Sequence, residues 1–191
     1  MRRRRLAATK GWLMDYVTNV GKVLFDEETI AERVRELGRQ LRADYGGRDL
    51  VVVGVLKGAF VFLADLIRAM DLPLTVDFAE IMSYGGGTET TEEVVLTKDV
   101  SVNIRDRDVL VVEDIVDTGL TTAFLLDHLR IREPRTLEVC ALLYKPVKQR
   151  VEVPLRYVCF EVGDVFAVGY GLDYDGKYRN LPRLVTLKGV A

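Results

Sequence analysis

Two adjacent carboxylates, Glu113 and Asp114, follow an unbroken apolar run, Val109 to Val112, and precede Asp117, Thr118, Gly119 and Thr121. An acidic pair can accept hydrogen bonds from both hydroxyls of a sugar diol, or complete the oxygen shell of Mg²⁺. Just beyond it the chemistry changes sign. Asp117-Thr118-Gly119 is a turn, and the apolar spacing of Leu120, Phe124, Leu125 and Leu129 behind it is helical. The backbone N–H groups at the helix start, the Thr118 and Thr121 hydroxyls and the helix dipole together suit a phosphate. Lys57-Gly58, between another apolar run and a second helical pattern, describes a further anion-binding turn. Lys145 closes the strand-like segment Leu137 to Tyr144 and is held extended by Pro146.

These side chains need strands to carry them. Leu50 to Leu56, Val109 to Val112, Leu137 to Tyr144 and Val165 to Val168 read as buried strands, with Glu113-Asp114 at the end of the second. Leu74, Val76 and Phe78 alternate with polar or small neighbours and mark a strand with unlike faces, Val94-Val95-Leu96 is its return, and Leu184 to Leu187 is a last short strand. Asp26 is an N-cap, Glu27 and Glu28 occupy the first turn, and Ile30, Val34, Leu37 and Leu41 form the apolar stripe of a helix closed by Gly46-Gly47. Phe62, Leu63, Leu66, Ile67 and Met70 mark a second helix, ended before Pro73. The expected fold is α/β, a twisted, mostly parallel sheet flanked by helices on both faces. In such sheets ligands gather beyond the carboxyl ends of the strands, where Lys57, Glu113-Asp114, Lys145 and Asp173 would meet. Ser83 to Thr91, glycine-rich and polar, reads as a mobile lid.

Composition narrows the function classes. The 191 residues suit one domain, expected over 17–191, behind a flexible basic tail, 1–16, that carries Arg2 to Arg5. Net charge is −2, which gives no electrostatic case for nucleic acid or membrane binding outside that tail. No apolar stretch reaches membrane-span length. Cys140 and Cys159 lie in apolar contexts without CxxC spacing and read as reduced core residues of a cytoplasmic protein. The single histidine, His128, excludes a His-rich metal site.

Val109 to Thr121 resembles the phosphoribosyl diphosphate (PRPP) motif of type I phosphoribosyltransferases, four apolar residues followed by E-D-x-x-D-T-G-x-T, with every fixed position filled. A receiver-type domain also has an acidic pair after an apolar strand. There it belongs to the first strand, whereas about a hundred residues precede it here. Leu56-Lys57-Gly58, Ser83-Tyr84, Leu142 to Lys145, Phe166 to Tyr170, Leu172-Asp173-Tyr174 and Arg179 extend the likeness over about 17–188 to the hypoxanthine-guanine phosphoribosyltransferase family. Adenine and orotate enzymes share the central motif but not the downstream series.

The resemblance implies that fold, with a small hood over the strand C-terminal ends, and an Mg²⁺-dependent transfer of phosphoribosyl from PRPP to a 6-oxopurine. By position, Glu113 and Asp114 would hold the ribose hydroxyls and, with Asp173, Mg²⁺. Asp117 would take the purine N7 proton, and the stretch from Asp117 through Thr118, Gly119, Leu120 and Thr121 to Thr122 would bind the 5-phosphate. Lys57, Gly58 and Arg179 would hold pyrophosphate. Lys145 would donate to O6, Phe166 would stack on the base, and the backbone at Ala167 and Asp173 would read its other edge. Ser83 and Tyr84 would begin the lid. Ala167 departs from the β-branched residue usual in the family, which implies a looser pocket. The family also implies a homodimer or homotetramer. An enzyme with xanthine as acceptor, or a PRPP-dependent nucleic-acid sensor, are the alternatives.

Overall fold

A computed structural model describes residues 19–84 and 93–189. Among these the chain runs β1 (Val20–Phe25), α1 (Glu27–Tyr45), β2 (Leu50–Leu56), α2 (Phe60–Met70), β3 (Thr75–Tyr84), β4 (Glu93–Lys98), β5 (Asp108–Val116), α3 (Leu120–Arg130), β6 (Thr136–Tyr144), a 3₁₀ turn (Pro146–Lys148), β7 (Leu155–Glu161), β8 (Ala167–Val168) and β9 (Leu184–Leu187).

Strand β2 is apolar at almost every position because both of its faces are covered. Leu50 and Val52 pack with Leu37 and Leu41 of α1 and Phe62, Leu66 and Met70 of α2. Val51, Val53 and Val55 point the other way, into a cluster with Leu125, Leu126 and Leu129 of α3. Each buried aliphatic side chain contributes roughly 1.5–3 kcal/mol, so a charge in the run would break one layer or the other. Helix α1 starts where Asp26 accepts from the Thr29 N–H at 2.9 Å and ends with the Gly46 N–H donating to the Arg42 carbonyl. The expected α/β architecture, a mostly parallel sheet with helices on both faces, is the one observed.

The main sheet has the order β4-β3-β2-β5-β6-β7, parallel except for β4. From β2 the chain moves to β3 on one side and later to β5 on the other, so the winding reverses between β2 and β5. Their pairing stops at Gly54 opposite Val112, whereas β5 continues along β6 as far as Val116 opposite Tyr144. A crevice therefore opens at the carboxyl ends, where such sheets bind ligands.

Four elements differ from the sequence reading, the first being β1, which it does not foresee and which pairs with the distant β9. The acidic pair does not follow β5 but lies inside it, because β6 goes on supplying backbone partners beyond Val112. The strand read at Val165 to Val168 is only Ala167–Val168, and it joins a second sheet, β1-β9-β8, instead of the main one. The last parallel strand is β7, whose alternating exposure gave no apolar run to recognise. Its outer edge is covered by Arg33 of α1, which donates to the carbonyls of Val158 and Cys159 at 2.6 and 3.0 Å.

The small sheet is the hood, packed around Val168, Tyr178, Val185 and Leu187. Gly171, with φ of +106°, lies so close to the loop after β2 that a Cβ there would stand 2.1 Å from the Gly58 carbonyl oxygen. No helix among the described residues is long and apolar enough to cross a membrane. Apart from the backbone of Ser83 and Tyr84, which ends β3, the expected lid lies outside the described residues.

Candidate active site

The first wall of the crevice is the turn after β2. The Leu56–Lys57 peptide is cis. Lys57 is exposed, its Nζ 3.8 Å from Oε1 of Glu80 on β3. Gly58 is buried against the acidic pair, and a Cβ on it would stand 1.6 Å from Oδ2 of Asp114. Only a residue without a side chain lets that backbone approach the carboxylate so closely.

The second wall is β5 itself. Successive strand residues point to opposite faces, and the two carboxylates diverge accordingly. Glu113 is buried, and its Oε1 accepts from the Thr122 hydroxyl of α3 at 3.2 Å. Burial, reinforced by the negative charge of Asp114, pushes its carboxyl up to about 8. Asp114 is half-buried beneath Gly58. Burial raises it to about 6, against its backbone hydrogen bonds and Arg179. Both groups therefore hold protons more readily than a solvated carboxyl.

Asp117 lies in the turn after β5. Its Oδ2 is 3.4 Å from Nζ of Lys145, which is buried at the end of β6, and its buried Oδ1 has no donor among the described residues. The turn continues through Thr118 to Gly119, the N-cap of α3, with φ of +82° and no capping side chain. The Leu120 N–H donates to the Thr118 hydroxyl at 3.4 Å, and the other N–H groups of the first turn attract an anion. The carbonyl of Thr118 accepts from the N–H groups of Arg150 and Val151, which ties the loop after β6 to this turn.

The hood supplies the roof. Arg179 donates to the Gly171 carbonyl and pairs with Oδ1 of Asp173, both at 2.7 Å, while Oδ2 of Asp173 accepts from the Gly176 N–H. Phe166 meets Tyr174 edge to face, ring centroids 5.7 Å apart.

A cavity of about 290 Å³ brings together Lys57, Gly58, Glu113, Asp114, Thr121, Asp173 and Arg179. A neighbouring cavity of about 460 Å³ is lined by Asp117 and Thr118 on one side and Val147 to Arg150 on the other. Lys145 joins the site through Asp117. Phe166 and Ala167 line neither cavity, although Ala167 is buried in β8. Thr122, expected among the phosphate ligands, is buried with its hydroxyl on Glu113. Among the described residues no three carboxylate, histidine or cysteine side chains stand close enough to form a metal cage. Glu113, Asp114 and Asp173 are thus not a closed coordination shell. Glu80 was missed by the sequence reading. Its only signal was an acidic residue where the alternation Leu74, Val76, Phe78 would next place an apolar one, on a strand leading toward the expected lid.

A family model for the phosphoribosyl transferase domain matches residues 21–175. The bifunctional protein TilS/HprT of Listeria monocytogenes is 43% identical over 189 residues, 94% of this chain and 29% of that protein. The chain thus spans about three-tenths of that relative's length. A hypoxanthine-guanine phosphoribosyltransferase of Streptococcus thermophilus is 45% identical over 170 residues, covering 89% of this chain and 94% of the relative. The crystal structure of a hypoxanthine phosphoribosyltransferase from Staphylococcus aureus superimposes with a TM-score of 0.85 at 44% identity, over 90% of this chain and 93% of that one. Matched by that domain over most of its length, and 44–45% identical to the latter two relatives along nearly the whole of each, the chain belongs to the hypoxanthine-guanine phosphoribosyltransferase family of transferases.

Proposed function

We propose that the protein transfers 5-phosphoribosyl from PRPP to N9 of hypoxanthine or guanine, forming IMP or GMP and pyrophosphate in purine salvage. The observation that carries this reading is the Lys145–Asp117 pair beside a crevice in which two cations, Lys57 and Arg179, share a cavity with the acidic pair of β5.

In this reading the bond between C1 of the ribose and the pyrophosphate oxygen breaks as N9 attacks, and the N7 proton passes to Asp117. Lys145 donates to O6. The 6-amino group of adenine would meet that donor with a donor, which selects 6-oxopurines. Phe166 stacks on the base, and the backbone of Ala167 and Asp173 reads its far edge. The Thr118 and Thr121 hydroxyls and the N–H groups from Gly119 and Leu120 onward hold the 5-phosphate. Asp114, with Glu113 behind it, orients the ribose hydroxyls. Lys57, Gly58 and Arg179 hold pyrophosphate, with Arg179 offering a charge-assisted fork. Ser83 and Tyr84 begin a lid that excludes water from C1.

Mg²⁺ fits this donor set. Asp114 and Asp173 offer hard oxygens without a closed cage, and Mg²⁺ is commonly held by one or two carboxylates together with substrate oxygens and water. Held by these carboxylates, Mg²⁺ would supply positive charge against the departing pyrophosphate. The same reading makes the protein a cytoplasmic homodimer or homotetramer.

The test is pyrophosphate release from PRPP and Mg²⁺ with hypoxanthine, guanine, xanthine and adenine offered separately. Turnover with the first two and none with adenine is expected. PRPP binding without turnover on any base would overturn the enzyme reading in favour of a sensor.

A further inference from the structure

Both cations assigned to pyrophosphate already hold a carboxylate. Arg179 has Asp173, to which a role is given above. Lys57 has Glu80, to which none is given.

The backbone register explains the second pairing. Leu56 of β2 stands opposite Glu80 of β3, so the residue after Leu56 leaves the sheet beside that carboxylate. Glu80 is the fixed member. Its side chain is only 22% exposed, and its Oε2 accepts from the Thr97 hydroxyl of β4 at 3.1 Å. Lys57 is the free member, 65% exposed and 3.8 Å from Oε1. Lys57 lines the cavity shared with Gly58 and Arg179, and Glu80 holds it from outside that cavity. An exposed pair at that distance is weak and screened by water. A diphosphate carries more charge than one carboxylate and can take the ammonium away from it.

We propose that Glu80 is a positioning residue of the pyrophosphate site, a built-in counter-ion that holds Lys57 between turnovers and is exchanged for the diphosphate of PRPP or for free pyrophosphate. The inference rests on the assignment of Lys57 to pyrophosphate. Its physical consequence has an unusual sign. Each binding event must first break the Lys57–Glu80 pair, so Glu80 weakens ground-state binding and speeds the loss of product. Removing its charge tightens the site.

The experiment is calorimetric titration of pyrophosphate, with Mg²⁺ in excess, into the full chain as wild type, Lys57→Ala, Glu80→Gln and the double variant. Glutamine keeps the shape of Glu80 and an oxygen for Thr97. Glu80→Gln should tighten pyrophosphate by about two- to fivefold, the range open to a solvent-exposed pair. The KM for PRPP should fall by a similar factor, and product inhibition by pyrophosphate should strengthen. In the Lys57→Ala background the effect of Glu80→Gln should vanish. Unchanged or weaker binding by Glu80→Gln, with Lys57→Ala still damaging, would overturn the counter-ion role alone. Equal tightening with and without Lys57 would overturn it too, since Glu80 would then act by direct repulsion. If Lys57→Ala leaves affinity untouched, the assignment of Lys57 itself falls, and the inference with it.

Discussion

The ammonium nitrogen of Lys145 stands 3.4 Å from Oδ2 of Asp117, an ion pair between the end of β6 and the turn after β5. The two strands bring them together: the Lys145 N–H donates to the carbonyl of Val116, the last residue of β5, at 2.9 Å. The proposed proton acceptor and the proposed O6 donor thus share one contact, and an incoming 6-oxopurine can engage both ends of it.

Replacing Lys145 by alanine removes a donor and leaves Asp117 without its counter-charge. We expect kcat/KM for hypoxanthine to fall about 10- to 100-fold, the worth of one charged hydrogen bond. The preference over adenine should relax, because nothing then opposes a 6-amino group. Competition between the two bases in a single reaction reads this out, and an unchanged base ratio in a folded variant would remove Lys145 from base selection.

Asp117→Asn keeps the size and loses the basicity. The kcat for purine transfer should drop about 10²- to 10⁴-fold, the usual contribution of a positioned base. PRPP binding, measured directly, should change far less. Equal losses in both would show that Asp117 serves the donor substrate and not proton transfer.

The acidic pair makes stability depend on pH in a definite direction. In the unfolded chain Glu113 titrates near its ordinary value of 4.5, whereas in the fold it rises to about 8. Between those values the folded state binds more protons than the unfolded one, so stability falls as pH rises and the slope flattens above about 8. Asp114, raised from 3.8 to about 6, acts in the same direction over its lower window. Glu113→Gln should therefore raise the melting temperature of the ligand-free protein by on the order of 5 °C at pH 8. Little gain is expected at pH 4.5, where the folded side chain is neutral and the unfolded one is only half ionised. Paired thermal melts across pH 4.5 to 8.5 check this, and a difference that does not grow with pH would refute it.

Gly58→Ala tests the close approach between the β2 turn and Asp114. The added Cβ would stand 1.6 Å from Oδ2, so the Asp114 carboxylate must swing away. PRPP affinity should fall about tenfold or more, since small misplacements in a positioned site are costly. Far-ultraviolet circular dichroism should be unchanged, because Gly58 lies in a turn beyond β2 and outside the sheet. Full PRPP affinity would mean that Asp114 is not a ribose ligand.

Much of this was legible in the chain itself. β2, β6 from Val139 and β5 from Val109 to Val112 are apolar runs, because both faces of the sheet are covered. α1, α2 and α3 show their stripes because each buries one side. The central segment Glu113 to Thr121, and the series Lys57, Lys145, Asp173 and Arg179, could be read because their chemistry depends on residue type and local spacing. Strand β7 could not, for its one packed face leaves only short-range alternation, and β1 and β8 are strands only because β9, distant from β1 in sequence, pairs with both.

Glu113 and Asp114 show where the two kinds of information part. The sequence by itself determined that two carboxylates stand side by side ahead of an anion-binding turn. Tertiary structure alone decided that β6 carries the strand past Val112. Only that placement turns Glu113 inward to Thr122 and Asp114 toward Gly58 and the hood. It likewise set Glu80 beside Lys57 and Lys145 beside Asp117. The physical reason is that helix stripes and turn signals report short-range geometry. A carboxylate's burial, charge and partner are set instead by residues that only the register of neighbouring strands brings near it.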